Sequence, residues 1–318
     1  MSILNAATCG NGTNTGIANC PLVPGAIVEA YAVPKGYVMP NASIATVTAF
    51  KTALNGLLIS DNPNARAFRL LALQEMKDNT GEPVTETRNQ TSFRVINKPY
   101  NWQFMIGVDF CAYINYKKKF DVSNYDWYFY DNKGQYWVTT ADDAAGLAGA
   151  GGIAMSQVTV DDWTPPTFAA LEKYVITFRI LNNLTMTDNL RFIAATTPPA
   201  ITGLVDVVLA KGTVGTTSAT VLYVTGALGC GASSLGDTYG TTLAATSAWT
   251  VVNATTGATI TVSGVAYNAT TKEYALTITS TPATAVLVGI AAPSVITATP
   301  YFAYIVTEAA NKAAITTP

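Results

Sequence analysis

The feature that most constrains this chain is its punctuation. Short runs of alternating apolar and polar residues follow one another, and each is closed by glycine, proline, asparagine or aspartate. Tyr174 to Leu181 (YVITFRIL) alternates cleanly and reads as a core strand. Tyr125 to Tyr130 and Gln135 to Thr139 flank Asp131-Asn132-Lys133-Gly134, a strong hairpin signal, because asparagine and glycine tolerate the turn backbone that hairpins need. Further strands are expected at Ala26 to Val33, Ala67 to Met76, Phe93 to Ile96, Tyr100 to Val108 and Ile153 to Val160. Lys77 to Gln90 reads as a polar stretch and Ala144 to Gly152 as a glycine/alanine loop. One segment has helical spacing: in Ile44 to Leu58 (IATVTAFKTALNGLL), Val47, Phe50, Leu54 and Leu57 share a face. Asn41 or Ser43 is the expected cap and Asp61-Asn62-Pro63 the stop. Asp109 to Lys119 is a second, shorter helix candidate.

Composition changes near Pro198-Pro199. Every arginine precedes that point, the last being Arg191. From Ile201 onward the only charged residues are Asp206, Lys211, Asp237, Lys272, Glu273, Glu308 and Lys312, in a background of threonine and alanine. Thr196 to Pro199 reads as a short stiff linker. Beyond it lie seven strand candidates: Val205 to Leu209, Thr220 to Thr225, Trp249 to Asn253, Thr259 to Val262, Tyr274 to Thr279, Ala285 to Ile290 and Tyr301 to Thr307. Thr255-Thr256-Gly257 and Asn268 to Lys272 read as turns. Seven short strands in about 100 residues is the pattern of an immunoglobulin-like sandwich, here without a Cys…Trp…Cys frame. The expected fold is therefore mainly β. Residues 1–40 form an extended N-terminal arm, and 41–197 a β-sandwich or barrel-like assembly domain with one or two helices. Residues 200–318 form an Ig-like β-sandwich.

The 318 residues include no histidine, which excludes Ser-His-Asp and Cys-His catalysis and histidine-ligated zinc. Charged residues make up 12% and the net charge is −2, which disfavours a broad basic nucleic-acid face. Cys9, Cys20, Cys111 and Cys230 form no C-x-x-C pair. Cys9 and Cys20 are positioned to close a small disulfide loop; free thiols are the plainer reading, with Cys111 a buried apolar side chain. Met1-Ser2-Ile3-Leu4-Asn5 lacks the basic and apolar regions of a secretory signal, and no run of 18 uninterrupted apolar residues is present, so no membrane association is expected.

The sites worth weighing are few. Asp142-Asp143 and Asp161-Asp162 are sequence neighbours, which on a strand point to opposite faces and make no ready acid/base dyad. Asp162-Trp163-Thr164-Pro165-Pro166 reads as a turn. Gly149-Ala150-Gly151-Gly152 lacks the Lys-Ser/Thr of a phosphate loop and reads as a hinge. Lys117, Lys118 and Lys119 form the densest basic run. Asp109 and Asp121 offset it, so a solvated or protein–protein patch is expected rather than a phosphate track. The hairpin concentrates Tyr125, Trp127, Tyr128, Phe129, Tyr130, Tyr136 and Trp137. One face is expected on a core and the other against a sugar or another subunit. Subunit contact is favoured because no convergent polar set accompanies the rings. The candidate interface is thus Tyr125, Trp127, Tyr128, Tyr130, Tyr136 and Trp137 with Lys117, Lys118 and Lys119. No catalytic, cofactor or metal residues are assigned.

The order of these elements is similar to bacteriophage tail-tube proteins: the strand NWQFMIGVDF (Asn101 to Phe110), the hairpin YDWYFYDNKGQYWVT (Tyr125 to Thr139), then the long strand YVITFRILN (Tyr174 to Asn182), followed by an Ig-like tail. The resemblance covers Val95 to Asn182 and the Ig-like region. It implies a virion structural protein made in the host bacterial cytoplasm and partnered by copies of itself in rings, hexameric ones included. Other virion proteins are further implied partners, as is passive passage of DNA through a lumen lined by neutral or acidic side chains. A capsid or head-decoration protein is the alternative in the same class, although no helix candidate has the 20 or more residues of a shell-protein spine. A carbohydrate-binding adhesive module and a carboxylate-based glycosidase are the alternatives outside it.

Overall fold

The computed structural model describes residues 5–6 and 25–316, except 71, 83, 89–90, 97, 109, 122–123, 169–171, 183–185, 187–188, 196, 200–203, 214–216, 219, 230–232, 280–284, 293–304 and 308–311. The protein is mainly β, with three α-helices among the described residues. The chain forms two compact units, Met1–Leu58 with Asn62–Ala200 and Ile201–Pro318 with Ile59–Asp61.

In the first unit the strands run β1 (Asn5–Ala6), β2 (Ile27–Pro34) and β3 (Val38–Met39), then helix α1 (Val47–Leu58), β4 (Phe68–Leu70), β5 (Leu73–Asp78), β6 (Val84–Arg88), β7 (Thr91–Ile96) and β8 (Asn101–Ile106). Helix α2 (Phe110–Phe120) leads to β9 (Tyr125–Asp131), β10 (Gln135–Asp142), β11 (Ala148–Gly151), β12 (Ile153–Val160), β13 (Val175–Ile180) and β14 (Leu190–Ala194). Strand β9 is central. One of its edges pairs with β2 from Tyr125 to Asp131; the other is shared between β10 at Phe129–Tyr130 and β12 at Asp126–Trp127. Strand β12 shifts register between Met155 and Gln157 and continues into the layer β12-β13-β8-β5. The two layers are therefore hydrogen-bonded through one bent strand and face each other across an aromatic core. The rings of Trp127 and Phe178 are 4.7 Å apart, and those of Trp102 and Phe129 5.8 Å.

Several expectations change for physical reasons. Of the expected arm, residues 27–39 belong to the main sheet as β2 and β3, whereas Cys9 and Cys20 lie outside the described residues. The single strand expected over Ala67 to Met76 is two: β4 pairs with β2 and β5 with β8. The chain changes layers between them, with Ala72 at φ 56°, and Glu75 at φ 47° marks the register shift within β5 between Gln74 and Lys77. Helix α1 starts at Val47, after a 3-10 turn over Asn41–Ile44, and the Thr46 hydroxyl rather than Asn41 or Ser43 accepts the Ala49 N–H. Its buried residues are Phe50, Leu54 and Leu58. The glycine/alanine loop is in part strand β11, inserted between β10 and β3. A Cβ on Gly149 would lie 2.5 Å from the Met39 carbonyl oxygen, so the glycines there permit close strand approach rather than hinging.

The second unit comprises β15 (Val205–Lys211), β16 (Val221–Leu228), β17 (Ser233–Ser234), α3 (Leu235–Tyr239), β18 (Trp249–Asn253), β19 (Thr259–Ile260), β20 (Val262–Asn268), β21 (Glu273–Ile278), β22 (Ala285–Ile290), β23 (Ile305–Val306) and β24 (Ala313–Thr316). One sheet is ordered β20-β21-β16-β15 and the other β19-β18-β22-β24. With β15, β16, β18, β19, β20, β21, β22 and β24 taken as A, B, C, C′, D, E, F and G, these are the D-E-B-A and C′-C-F-G orders of an immunoglobulin-type sandwich. Trp249 on strand C is buried against Tyr274, with ring centroids 5.1 Å apart, and donates its indole N–H to the Leu243 carbonyl. The expected turns are held by asparagine side chains: Asn253 Oδ1 accepts from Thr255 and Thr256, and Asn268 Oδ1 from Thr270 and Thr271. Helix α3 and strands β17, β20 and β24 were not expected. For α3 a signal existed: Ser234 precedes Asp237 by three residues, and its hydroxyl caps Gly236 and Asp237.

Candidate assembly surface

The aromatic hairpin lies inside the first unit on both of its faces, which corrects its assignment as an interface. Trp127 and Phe129 turn toward the β8–β13 layer. On the opposite face, Tyr31, Tyr128, Tyr130 and Tyr136 are buried, and α1 covers them in part, with the Phe50 ring 4.9 Å from Tyr136. Trp127, Tyr128 and Tyr136 are 0% exposed, which leaves no ring face for a sugar or a second subunit. Tyr125 packs on Phe68 and Phe120. Trp137 packs on Phe192 and donates its indole N–H to Asp131. Alternation promised one free face; Phe50 of α1, packed on Tyr136, helps to remove it. Burial raises the pKa of Tyr31, Tyr128 and Tyr136 far above the ordinary tyrosine value.

That opposite face also holds an ion pair. Arg69 on β4 pairs with Glu29 on β2 through Nη2–Oε1 at 2.9 Å and Nε–Oε2 at 3.1 Å. Glu29 Oε2 in turn accepts the Tyr31 hydroxyl at 2.6 Å. The Arg69 guanidinium sits 5.6 Å from the Tyr31 ring centre.

The lysine run stands on the last turn of α2, where its charge complements the helix C-terminus. Lys117 pairs with Asp162, whose carboxyl is held low by that contact, and Lys119 rests 3.4 Å over the Phe68 ring. Lys118 is exposed. The Tyr113 hydroxyl donates to the Asp161 carbonyl and accepts the Trp163 N–H, so α2 fixes the start of the loop between β12 and β13. The adjacent acids differ: burial pushes the Asp161 carboxyl up, whereas Lys117 pulls that of Asp162 down. Asp143 is held low by the N–H groups of Asn41, Leu147 and Ala145, a loop-closing role. Among the described residues no group of three His, Cys, Asp or Glu side chains is arranged to hold a metal. Among the described residues no helix is long and apolar enough to cross a membrane, which says nothing of strands.

A scan against protein-family models and a search of curated proteins found no match to this chain.

The exposed large apolar side chains of the first unit lie elsewhere than expected. Met76 is on β5, Trp163 and Phe168 are in the β12–β13 loop, and Leu181 follows β13. Met76 lies on a strand of the β12-β13-β8-β5 layer, Trp163, Phe168 and Leu181 lie in segments next to its strands in the chain, and Leu147 is on the β10–β11 loop. The β6–β7 ribbon also leaves this layer, between β5 and β8, and pairs with no other strand among the described residues. The Trp163-Thr164-Pro165-Pro166 turn was visible in the sequence. Ring density instead marks the buried hairpin, whereas the exposed rings Trp163 and Phe168 flank the Pro165-Pro166 turn.

Proposed function

We propose that this protein is a non-enzymatic phage virion structural protein that self-assembles into rings or a tail tube, with its immunoglobulin-type unit as an outward decoration. The observation that carries this reading is the set of exposed apolar side chains on or next in the chain to strands of the β12-β13-β8-β5 layer, Met76, Trp163, Phe168 and Leu181, together with the β6–β7 ribbon, which pairs with no other strand among the described residues. A two-stranded ribbon is marginally stable alone and gains from being covered. Charge is sparse on two cross-strand rows of this layer: Asn101, Arg179 and Gln157 form one, and Lys77, Gln103, Thr177 and Thr159 another, with Arg179 and Lys77 their only charged residues. Such a sparsely charged surface suits contact with further copies. A glycan-binding reading loses much of its motive, since Trp127, Tyr128, Phe129, Tyr130 and Tyr136 are buried and Tyr125 and Trp137 are partly buried against the core.

Negative-stain microscopy of the concentrated protein tests this. Rings or stacked tubes are expected; a strictly monomeric species at every concentration overturns it, and closed shells favour the capsid alternative.

A further inference from the structure

The stretch between β14 and the second unit is not held like a free linker. Three side chains from three elements of the first unit reach alternate residues of it. The Tyr130 hydroxyl, from β9, donates to the Ala195 carbonyl at 3.1 Å; Lys51 Nζ, from α1, donates to the Thr197 hydroxyl oxygen; Arg69 Nη1, from β4, donates to the Pro199 carbonyl at 2.9 Å. Ala195 also donates its own N–H to Gly134. Ala195 and Pro199 are buried, whereas Thr197 between them is exposed. Prolines 198 and 199 have no N–H, so a carbonyl is the only backbone group by which the first unit can grip the chain there.

Arg69 is built for that grip. Its side chain is 5% exposed and that of Glu29 15%. Burying an ion pair carries a desolvation cost that an apolar pair of similar volume would avoid. Two of the fork's nitrogens are fixed by Glu29, and Glu29 is fixed by the Tyr31 hydroxyl, which leaves Nη1 aimed at Pro199. Lysine, a point charge on a flexible stem, cannot be oriented in this way.

We propose that Tyr130, Lys51 and Arg69 form a strap clamp, with Arg69 its latch. The clamp moves the first unit's hold on the chain from the end of β14 at Ala194 to Pro199, about 17 Å of extended backbone further on. The second unit is thereby tethered from a fixed exit point rather than from a swinging Thr-Thr-Pro-Pro leash. This inference holds whatever the protein assembles into.

Nitrogen-15 relaxation on the full chain tests it, because Thr197 has an amide and sits at the middle contact. In the unmodified protein the Thr197 order parameter is expected near the roughly 0.85 of rigid backbone. In the variant Glu29→Gln/Arg69→Met/Lys51→Ala/Tyr130→Phe it is expected to fall below about 0.6, with the β14 amides unchanged. A second variant, Lys51→Ala/Tyr130→Phe, leaves the buried ion pair in place and must also lower the Thr197 value, so a folding failure of the first variant does not shelter the proposal. A Thr197 value below about 0.6 in the unmodified chain, or no change in a folded variant, overturns it.

Discussion

The indole N–H of Trp137 donates to Asp131 Oδ2 at 3.0 Å, across the turn of the β9–β10 hairpin. The same oxygen accepts the Gly25 N–H at 2.8 Å, and Oδ1 accepts the N–H groups of Lys133 and Gln135. One fully buried carboxylate thus closes the turn, orients a core tryptophan and anchors the chain where it enters β2.

Asp131→Ala leaves four N–H groups without that acceptor, and a loss of about 3 kcal/mol or more is expected. Asp131→Asn keeps one acceptor oxygen and is expected to fall between the two. Chemical denaturation followed by near-ultraviolet circular dichroism of the tryptophans reads both; an Asp131→Ala chain as stable as the parent would show that the carboxylate is incidental.

Asp126 gives the opposite case. It lies beneath the Lys35–Gly36 turn, accepts the Gly36 N–H at 2.7 Å through Oδ2, and has no hydrogen-bond partner for Oδ1 among the described residues. Burial pushes its carboxyl up, against the opposing pull of the Gly36 N–H and Lys35. The native state therefore binds this proton more tightly than the unfolded chain, for which the ordinary value is about 3.9. Below that value the group costs nothing; stability falls as pH rises through the raised native value. Asp126→Asn keeps an acceptor for Gly36 and removes the charge. It is expected to raise the denaturation midpoint at about pH 7 and to leave it unchanged at about pH 3. Equal shifts at both would refute the electrostatic account.

Two glycines separate close approach from simple flexibility. A Cβ at Gly149 meets the Met39 carbonyl oxygen at 2.5 Å and Val38 Cγ1 at 2.8 Å, so Gly149→Ala is expected to destabilise by about 1–3 kcal/mol. Gly56 lies within α1 with nothing inside 4 Å of its Cβ position. Gly56→Ala is therefore expected to stabilise by about 0.5–1 kcal/mol through lost unfolded-state freedom. Paired thermal melts check the opposite signs.

Phe168 is exposed in the β12–β13 loop. Phe168→Ser is expected to leave the melting temperature unchanged and to reduce ring or tube formation. Sedimentation velocity of the variant beside the parent measures this. Assembly at parental level would remove Phe168 from the contact surface.

Much of the architecture was written locally. Tyr174 to Leu181, the Asp131–Gly134 turn and the Thr/Ala-rich strands after Ile201 carry their structure in period-two patterning and turn chemistry, which act over a few residues. The candidate surface was not legible in the same way. Trp127 and Tyr128 alternate in the sequence as inward and outward residues, and nothing within the hairpin says that α1, some 70 residues earlier, lies over the outward side.

By itself, then, the sequence determined many of the strands and turns, the change of character at Pro198-Pro199 and the chemistry that a chain without histidine must forgo. Tertiary structure alone decided the rest: the layer switch at Ala72, the glycines of β11 packed between strands, the grip of Arg69 on Pro199, and the burial of both faces of β9. The reason is distance along the chain. Alternation and turn propensity are fixed by neighbours, whereas whether a face meets water or another layer depends on partners brought from far away in sequence.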